Sequence, residues 1–276
     1  MNNNKSSSRN SISNIKIKIL VYLSRSFLGL VFTLAVLLRV FNPQITEAAN
    51  FPNEAQAWLD TMRATGYLQH LLYVTELLTG IAILINVFMP LALIALAPVI
   101  VNIALFHIFL DSRPERILLV LLMVSAHTIL IYRYRAAFQS LFSQVKPTRS
   151  FPLKRRFSVR FGIQIIMGAI FIMAGAAKLI VPEQLSVGNL LIDGMKATGY
   201  LYPILGITEV IAGLALLSDR FIPLTLLILT PIVINIFAYH LFLAVAGLPI
   251  AILLLSAHIF LIVAYFPAYR TLLRMS

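Results

Sequence analysis

The sequence predicts an all-α integral membrane protein with eight transmembrane helices, arranged as two four-helix bundles that form a parallel repeat. The first observation is composition: 60% of the 276 residues are hydrophobic, only 12% are charged, and the mean hydropathy is +0.91. This is more apolar than a soluble domain. The second is that apolar runs of about 20 residues recur, long enough to cross a ~30 Å hydrocarbon layer as helices. The third is an internal repeat: residues 59–110 align without a gap on residues 192–243, with 24 of 52 positions identical.

The repeat preserves polar residues and prolines as well as apolar residues. A shift of 133 places Glu76, Asn102, His107, Pro90 and Pro98 on Glu209, Asn235, His240, Pro223 and Pro231. Hydrophobic composition alone would match Leu with Ile, so these identities indicate a tandem duplication. Each copy has an even number of predicted spans, so both copies have the same orientation, related by an axis along the membrane normal.

The apolar runs predict the spans in order. They lie at about 19–41, 66–88, 89–110, 116–134, 161–181, 199–218, 221–243 and 248–267. The first run follows a basic segment, as in a signal peptide, but its GLVF sequence at 29–32 returns as GAIF at 168–171, so we predict a retained helix. The predicted organisation is a disordered basic tail (1–18), a first four-helix unit (19–145), a basic cytoplasmic linker (146–158) and a second unit (159–276).

The net charge of +12 is an orientation signal. On the predicted topology, 16 of the 22 basic residues lie on the side of the termini and linker, and seven of the ten acids lie on the other side. The positive-inside rule then places both termini in the cytoplasm, for a multi-pass protein of the cytoplasmic membrane. The expected partner is the lipid bilayer, and nucleic acid is not expected. The absence of Cys excludes thiolate zinc sites, cysteine-held iron–sulfur clusters and thiol–disulfide relays in this chain.

Each half also repeats three short motifs. A basic residue ends the first helix, Met-x-x-x-Gly-Tyr begins the second, and the second helix contains Glu followed four residues later by Gly. These residues are Arg39, Met62, Gly66, Tyr67, Glu76 and Gly80, and then Lys178, Met195, Gly199, Tyr200, Glu209 and Gly213. In these motifs the chain resembles the DoxX-like family of small four-helix membrane proteins, here as a tandem duplication. The resemblance implies a cytoplasmic-membrane protein, in a family named after a subunit of a thiosulfate:quinone oxidoreductase.

The candidate catalytic residues are Glu76 with His127, and their copies Glu209 with His258. An ionised carboxylate that faces lipid near mid-bilayer costs about 2.5–3.5 kcal/mol, so the acid should face the bundle interior. His127 is predicted at the same depth as Glu76, and we therefore predict that they touch. The functional interpretation is a proton-linked or redox-ligand site, and the structural alternative is a polar pair that fixes helix register.

Six further residues are candidates for substrate binding. They are Arg39, Asn102, His107, Lys178, Asn235 and His240. The structural alternatives are cations that extend to the interface, amides that satisfy backbone groups freed by the helix prolines, and interfacial histidines. No metal site is predicted, and a haem between His127 and His258 is a minor alternative.

The leading functional hypothesis is a subunit or accessory protein of a quinone-linked membrane redox system. Each half would hold an apolar cavity, open to the outer leaflet, with the Glu–His pair at its floor and a quinone as the cofactor. A redox partner protein would supply electrons, and any enzymatic role would be that of a quinone-linked oxidoreductase subunit. Two alternatives stay open: a small-molecule or proton-coupled transporter, and a membrane scaffold or assembly factor without catalysis.

Overall fold

The computed structural model describes residues 3–42, 44, 50–142, 159–184 and 188–273, with side chains from residue 15 onward. Within these ranges the regular structure is entirely helical, without strands. The helices are α1 (Asn3–Phe41), α2 (Asn53–Ala64), α3 (Leu68–Ile85), α4 (Met89–Phe109), α5 (Pro114–Arg133), α6 (Arg135–Phe142), α7 (Val159–Ile180), α8 (Leu190–Ala197), α9 (Leu201–Leu217), α10 (Ile222–Phe242), α11 (Leu248–Ala264) and α12 (Phe266–Tyr269). Short 3-10 turns at Pro182–Gln184 and Val245–Gly247 precede α8 and α11.

Length and composition make this a multi-pass membrane protein, as predicted. In the described part of the chain, seven helical segments are long and apolar enough to cross a membrane, beginning with Ile15–Phe41. An eighth span is counted if α8 and α9, which meet at a bend of 102°, form one broken segment. The 17 residues of α9 alone supply about 26 Å at 1.5 Å per residue, a little less than the hydrocarbon thickness.

The predicted disorder of residues 1–18 is wrong for residues 3–18, because α1 extends back to Asn3. Once the apolar span has formed a helix, each added residue extends it without a new nucleation step. The predicted linker at 146–158 lies outside the described residues. After that gap the described chain resumes with α7, which covers Val159–Ile180.

The four long helices of each half pack in a closed ring. In the first half α1 packs on α3, α3 on α4, α4 on α5, and α5 on α1. In the second half the order is α7 on α9, α9 on α10, α10 on α11, and α11 on α7. The second and fourth helices of each ring are therefore diagonal to one another, which decides which polar side chains can meet.

Apolar side chains occupy both the core and the outer surface. Phe32, Leu93 and Leu216 are buried, whereas Leu78 and Ile250 are more than half exposed. Such extensive apolar exposure is unfavourable in water. It suits contact with acyl chains, while the helices satisfy their own backbone hydrogen bonds.

Candidate functional site

Each half buries a carboxylate that is paired with the basic residue near the end of its first helix. The side chains of Glu76 and Glu209 are 2% and 3% exposed. Arg39 Nη1 donates to Glu76 Oε2 at 3.0 Å, and Lys178 Nζ donates to Glu209 Oε2 at 2.6 Å. The cations are 32% and 17% exposed, so each ion pair has one buried end and one end nearer the surface.

The two halves use different cations, and the packing beside each cation also differs. The guanidinium carbon of Arg39 lies 5.6 Å from the centre of the Tyr73 ring, a cation–π contact. In the second half the position of Tyr73 is occupied by Gly206, whose carbonyl would lie 2.5 Å from a Cβ placed on Gly175. The glycines let α7 and α9 approach closely. The second half thus combines close backbone packing with the slimmer Lys178.

The histidines of α5 and α11 bond to the third helix of their own ring. His127 Nε2 lies 3.0 Å from the Leu93 carbonyl oxygen, which can only accept, so this nitrogen carries the proton. His258 Nε2 lies 3.0 Å from Thr230 Oγ1, and that hydroxyl donates to the Leu226 carbonyl at 2.8 Å. Leu226 is the counterpart of Leu93. In the second half the histidine is therefore connected to the equivalent carbonyl through the Thr230 hydroxyl.

The predicted contacts between Glu76 and His127, and between Glu209 and His258, are wrong. Each acid lies on the second helix of its ring and each histidine on the fourth, and these helices are diagonal. Each acid and each histidine instead bonds to a helix next to its own in the ring.

The two candidate asparagines bond across the halves. Asn235 Oδ1 accepts from the Tyr67 hydroxyl at 2.8 Å, and Asn102 Oδ1 accepts from the Tyr200 hydroxyl at 3.1 Å. Both carboxamides therefore have a structural task at the contact between the halves.

The remaining two candidates, His107 and His240, turn back onto the chain just beyond their own helices. His107 Nδ1 lies 3.4 Å from the Asp111 carbonyl oxygen, and His240 Nδ1 lies 3.0 Å from that of Ala244. Only the first half has an acid there. Arg113 donates to both oxygens of the fully buried Asp111 carboxylate, at 2.6 and 2.9 Å, and this bidentate bond lowers the pKa of Asp111.

A cleft of about 480 Å³ lies where α3 of the first half meets α10 of the second. We call it the outer cleft, after the side on which the predicted topology places it, and it is lined by Gly66, Tyr67, His70, Leu71, Val74, Ala238 and Phe242. None of the four candidate catalytic residues lines it, so it is not the predicted cavity with a Glu–His floor. Its polar groups are the exposed imidazole of His70 and the buried Tyr67, whose hydroxyl bonds to Asn235.

Two of the positions that line the cleft carry bulkier side chains in the other half. Leu105 stands where the cleft has Ala238, Ile207 stands for Val74, and Pro203 stands for His70. Leu105 and Ile207 are larger than their counterparts in the cleft, and Pro203 carries no imidazole. The two halves thus share one helix framework but differ in the size and polarity of the side chains at this position.

No family model, curated protein or solved structure matches this chain. The DoxX-like resemblance therefore stays a prediction. In the described part of the chain, no three His, Asp or Glu side chains are grouped so that they could hold a metal ion.

The repeat did not predict His70 as a cleft residue, because it identifies only residues that are preserved in both copies. The signal was present: His70 is an ionisable residue in the first turn of α3 that the second copy replaces with Pro203. A polar residue confined to one copy can mark a site that arose after duplication.

Proposed function

We propose that this multi-pass membrane protein is a subunit or accessory protein of a quinone-linked membrane redox system, and that the quinone occupies the outer cleft. The observation that carries the proposal is the cleft itself. Its volume falls within the ~300–1,000 Å³ range of small-ligand sites, and its walls are mostly apolar, with few polar groups. A flat ring with an apolar tail and oxygen substituents matches this lining.

The polar side chains of the cleft suit a ligand with oxygen at its head. The His70 imidazole can donate a hydrogen bond to a quinone oxygen or take a proton from a quinol. The Tyr67 hydroxyl donates its proton to Asn235, so its oxygen can accept a hydrogen bond from the hydroxyl of a bound quinol. Phe242 stacks on the Tyr67 ring at 5.5 Å between centroids and holds it in place.

Reduction of a bound quinone adds two electrons and two protons to its oxygens. In this proposal the exposed His70 passes both protons from water to the quinone in turn, and a partner protein supplies the two electrons. The ion pairs of Glu76 and Glu209 hold neighbouring helices together and lie outside the ligand site. This replaces the Glu–His site that the sequence predicted.

Titration of the purified protein with a short-chain benzoquinone tests the proposal. Ala238→Leu copies the residue that fills the corresponding position in the other half, and should weaken binding at least tenfold by occupying the recess. Leu105→Ala, the mirrored change, is the matched control and should leave the affinity of the outer cleft unchanged. Equal binding by wild type and Ala238→Leu would refute the site.

A membrane scaffold without catalysis is the second candidate, favoured by the internal partners of both acids and both core histidines. It predicts that His70→Leu and Ala238→Leu leave quinone-dependent turnover of native membranes unchanged. It also predicts that Glu76→Gln lowers only the stability of the fold. Uptake of a solute into proteoliposomes that contain this protein alone would instead support the transporter hypothesis.

A further inference from the structure

Hydrogen bonds between the two halves come in reciprocal pairs. Tyr67 of the first half donates to Asn235 of the second at 2.8 Å. Tyr200, the counterpart of Tyr67, donates to Asn102, the counterpart of Asn235, at 3.1 Å. In each half, a tyrosine hydroxyl thus donates a hydrogen bond to the other half, and an asparagine carboxamide accepts one from the other half.

The aromatic contacts beside these hydrogen bonds also form a reciprocal pair. Tyr67 stacks on Phe242 with ring centroids 5.5 Å apart and planes at 12°. Tyr200 stacks on Phe109 at 5.2 Å and 19°. Because Phe109 and Phe242 are also counterparts, one contact type is made twice, with the roles of the halves exchanged.

The opposite end of the molecule repeats this reciprocity with different residues. Ser140 Oγ donates to the Ala268 carbonyl at 2.8 Å, and Thr271 Oγ1 donates to the Ala137 carbonyl at 2.8 Å. Here the counterparts are separated by 131 positions, so Ser140 matches Thr271 and Ala137 matches Ala268. The two hydroxyl oxygens lie 2.9 Å apart.

At two places a residue touches its own counterpart. Ser140 meets Thr271, as above, and Thr61 meets Gly194 where α2 packs on α8. A Cβ placed on Gly194 would lie 3.0 Å from the Thr61 Cβ, so the approach is closer than two ordinary side chains allow. Only positions on a two-fold axis can touch their own equivalents in a self-complementary interface.

We infer that the two halves recognise each other through an isologous surface, whose pseudo-two-fold axis passes between Thr61 and Gly194 at one end and between Ser140 and Thr271 at the other. The partner that fits the surface of either half is a second four-helix unit of the same kind. Recognition resides in these contacts and needs no covalent connection through residues 143–158. Tyr67 and Phe242 also line the outer cleft, but this inference requires no quinone there.

The absence of Cys allows a disulfide test in the full chain. A protease site is inserted between residues 150 and 151, and Ser140 and Thr271 are both changed to Cys. After cleavage of the purified protein, the halves should co-elute through a tag on one of them. Oxidation should then join them into a band of full-chain size that reductant abolishes, because the two side-chain termini are already adjacent.

The control pair changes Ser140 and Gly162 to Cys. A Cβ at Gly162 would meet nothing within 4 Å, so this pair should not cross-link. Separation of the wild-type halves after cleavage, without denaturation, would overturn the inference. Failure of the Ser140–Thr271 pair to cross-link even in the uncut chain would contradict the contact itself.

Because the contacts are reciprocal, the affinity between the cleaved halves provides a second test. Tyr67→Phe and Tyr200→Phe each remove one of the paired hydrogen bonds, and each should raise the dissociation constant of the cleaved halves by about 2- to 12-fold. The two effects should agree within about threefold, because the contacts are equivalent. An effect confined to one tyrosine, with both uncut variants folded, would show that the interface is not isologous.

Discussion

Removing the cation from a buried ion pair should cost more stability than removing both members. We consider Arg39→Met, which leaves the Glu76 carboxylate without its partner, and Arg39→Met combined with Glu76→Met, which replaces the pair with apolar side chains. Glu76 is almost fully buried, so its charge receives little help from solvent once the guanidinium is gone.

The magnitude follows from burial. Breaking a fully buried pair costs about 3–5 kcal/mol, whereas an apolar replacement of both members is near neutral. About a third of the Arg39 side chain is exposed, and exposure weakens an ion pair, so we expect a loss of about 2–3 kcal/mol for Arg39→Met. Lys178 is only 17% exposed, and Lys178→Met should cost about 3–4 kcal/mol. Each double variant should return to within about 1 kcal/mol of wild type.

Equilibrium unfolding in mixed micelles with increasing SDS measures these differences. The single tryptophan, Trp58, is buried, so its fluorescence reports loss of the fold. The variants Arg39→Lys and Lys178→Arg keep the charge and serve as controls for side-chain shape. Single and double variants of equal stability would refute the reasoning, because the carboxylate would then not depend on its cation.

Three further predictions use the same unfolding measurement. Gly213→Ala should cost about 1–3 kcal/mol, because its Cβ would lie 2.6 Å from a backbone oxygen of α7, whereas Gly162→Ala, in open space, should be neutral or slightly stabilising. The stabilisation from Asp111 should be complete above its ordinary pKa of 3.8 and be lost as the pH falls through its lower folded-state pKa. Asp111→Asn should therefore remove this acid-dependent part of the stability. A variant whose stability falls with acid as steeply as that of wild type would contradict the prediction. Thr230→Val should cost about 1–3 kcal/mol, because it leaves the His258 ring without a hydrogen bond. Thr230→Ala should cost less, because the ring can then reach the Leu226 carbonyl directly, as His127 reaches Leu93 in the first half. Equal losses in the two variants would count against the hydrogen bond through the hydroxyl.

The positions of the spans were predictable because the bilayer imposes a length on each apolar run. The third predicted span, 89–110, differs from α4 by one residue, and the fourth, 116–134, lies close to Pro114–Arg133. The short α9 was not foreseen, because hydropathy shows where a chain is apolar but not where it bends. The bend before Leu201 follows Gly199, whose φ of 73° suits the left-handed region.

The partners of the buried acids were not predictable from depth alone. The sequence placed Glu76 and His127 at a common level, and both are indeed buried. What it did not contain was the order of helices around the ring, which puts α3 beside α1 and diagonal to α5. The sequence predicts an interfacial or substrate-binding role for Arg39, yet its long side chain reaches the acid on the adjacent helix.

The contact between the halves lay beyond sequence reasoning for a related reason. The repeat identified Tyr67 and Tyr200 as counterparts, but identical residues in two copies do not reveal that each bonds to the other copy. Only the packing of the bundles brings these phenols to Asn235 and Asn102.

The central claim is that the outer cleft holds a quinone. Mass spectrometry of lipids that co-purify with the protein from its native membranes tests it most directly, with wild type, Ala238→Leu and Leu105→Ala prepared in parallel. The account predicts a quinone at close to one per chain in wild type and in Leu105→Ala, and at most a tenth of that in Ala238→Leu. A wild-type protein that carries no quinone, or an Ala238→Leu variant that carries as much as wild type, would contradict it.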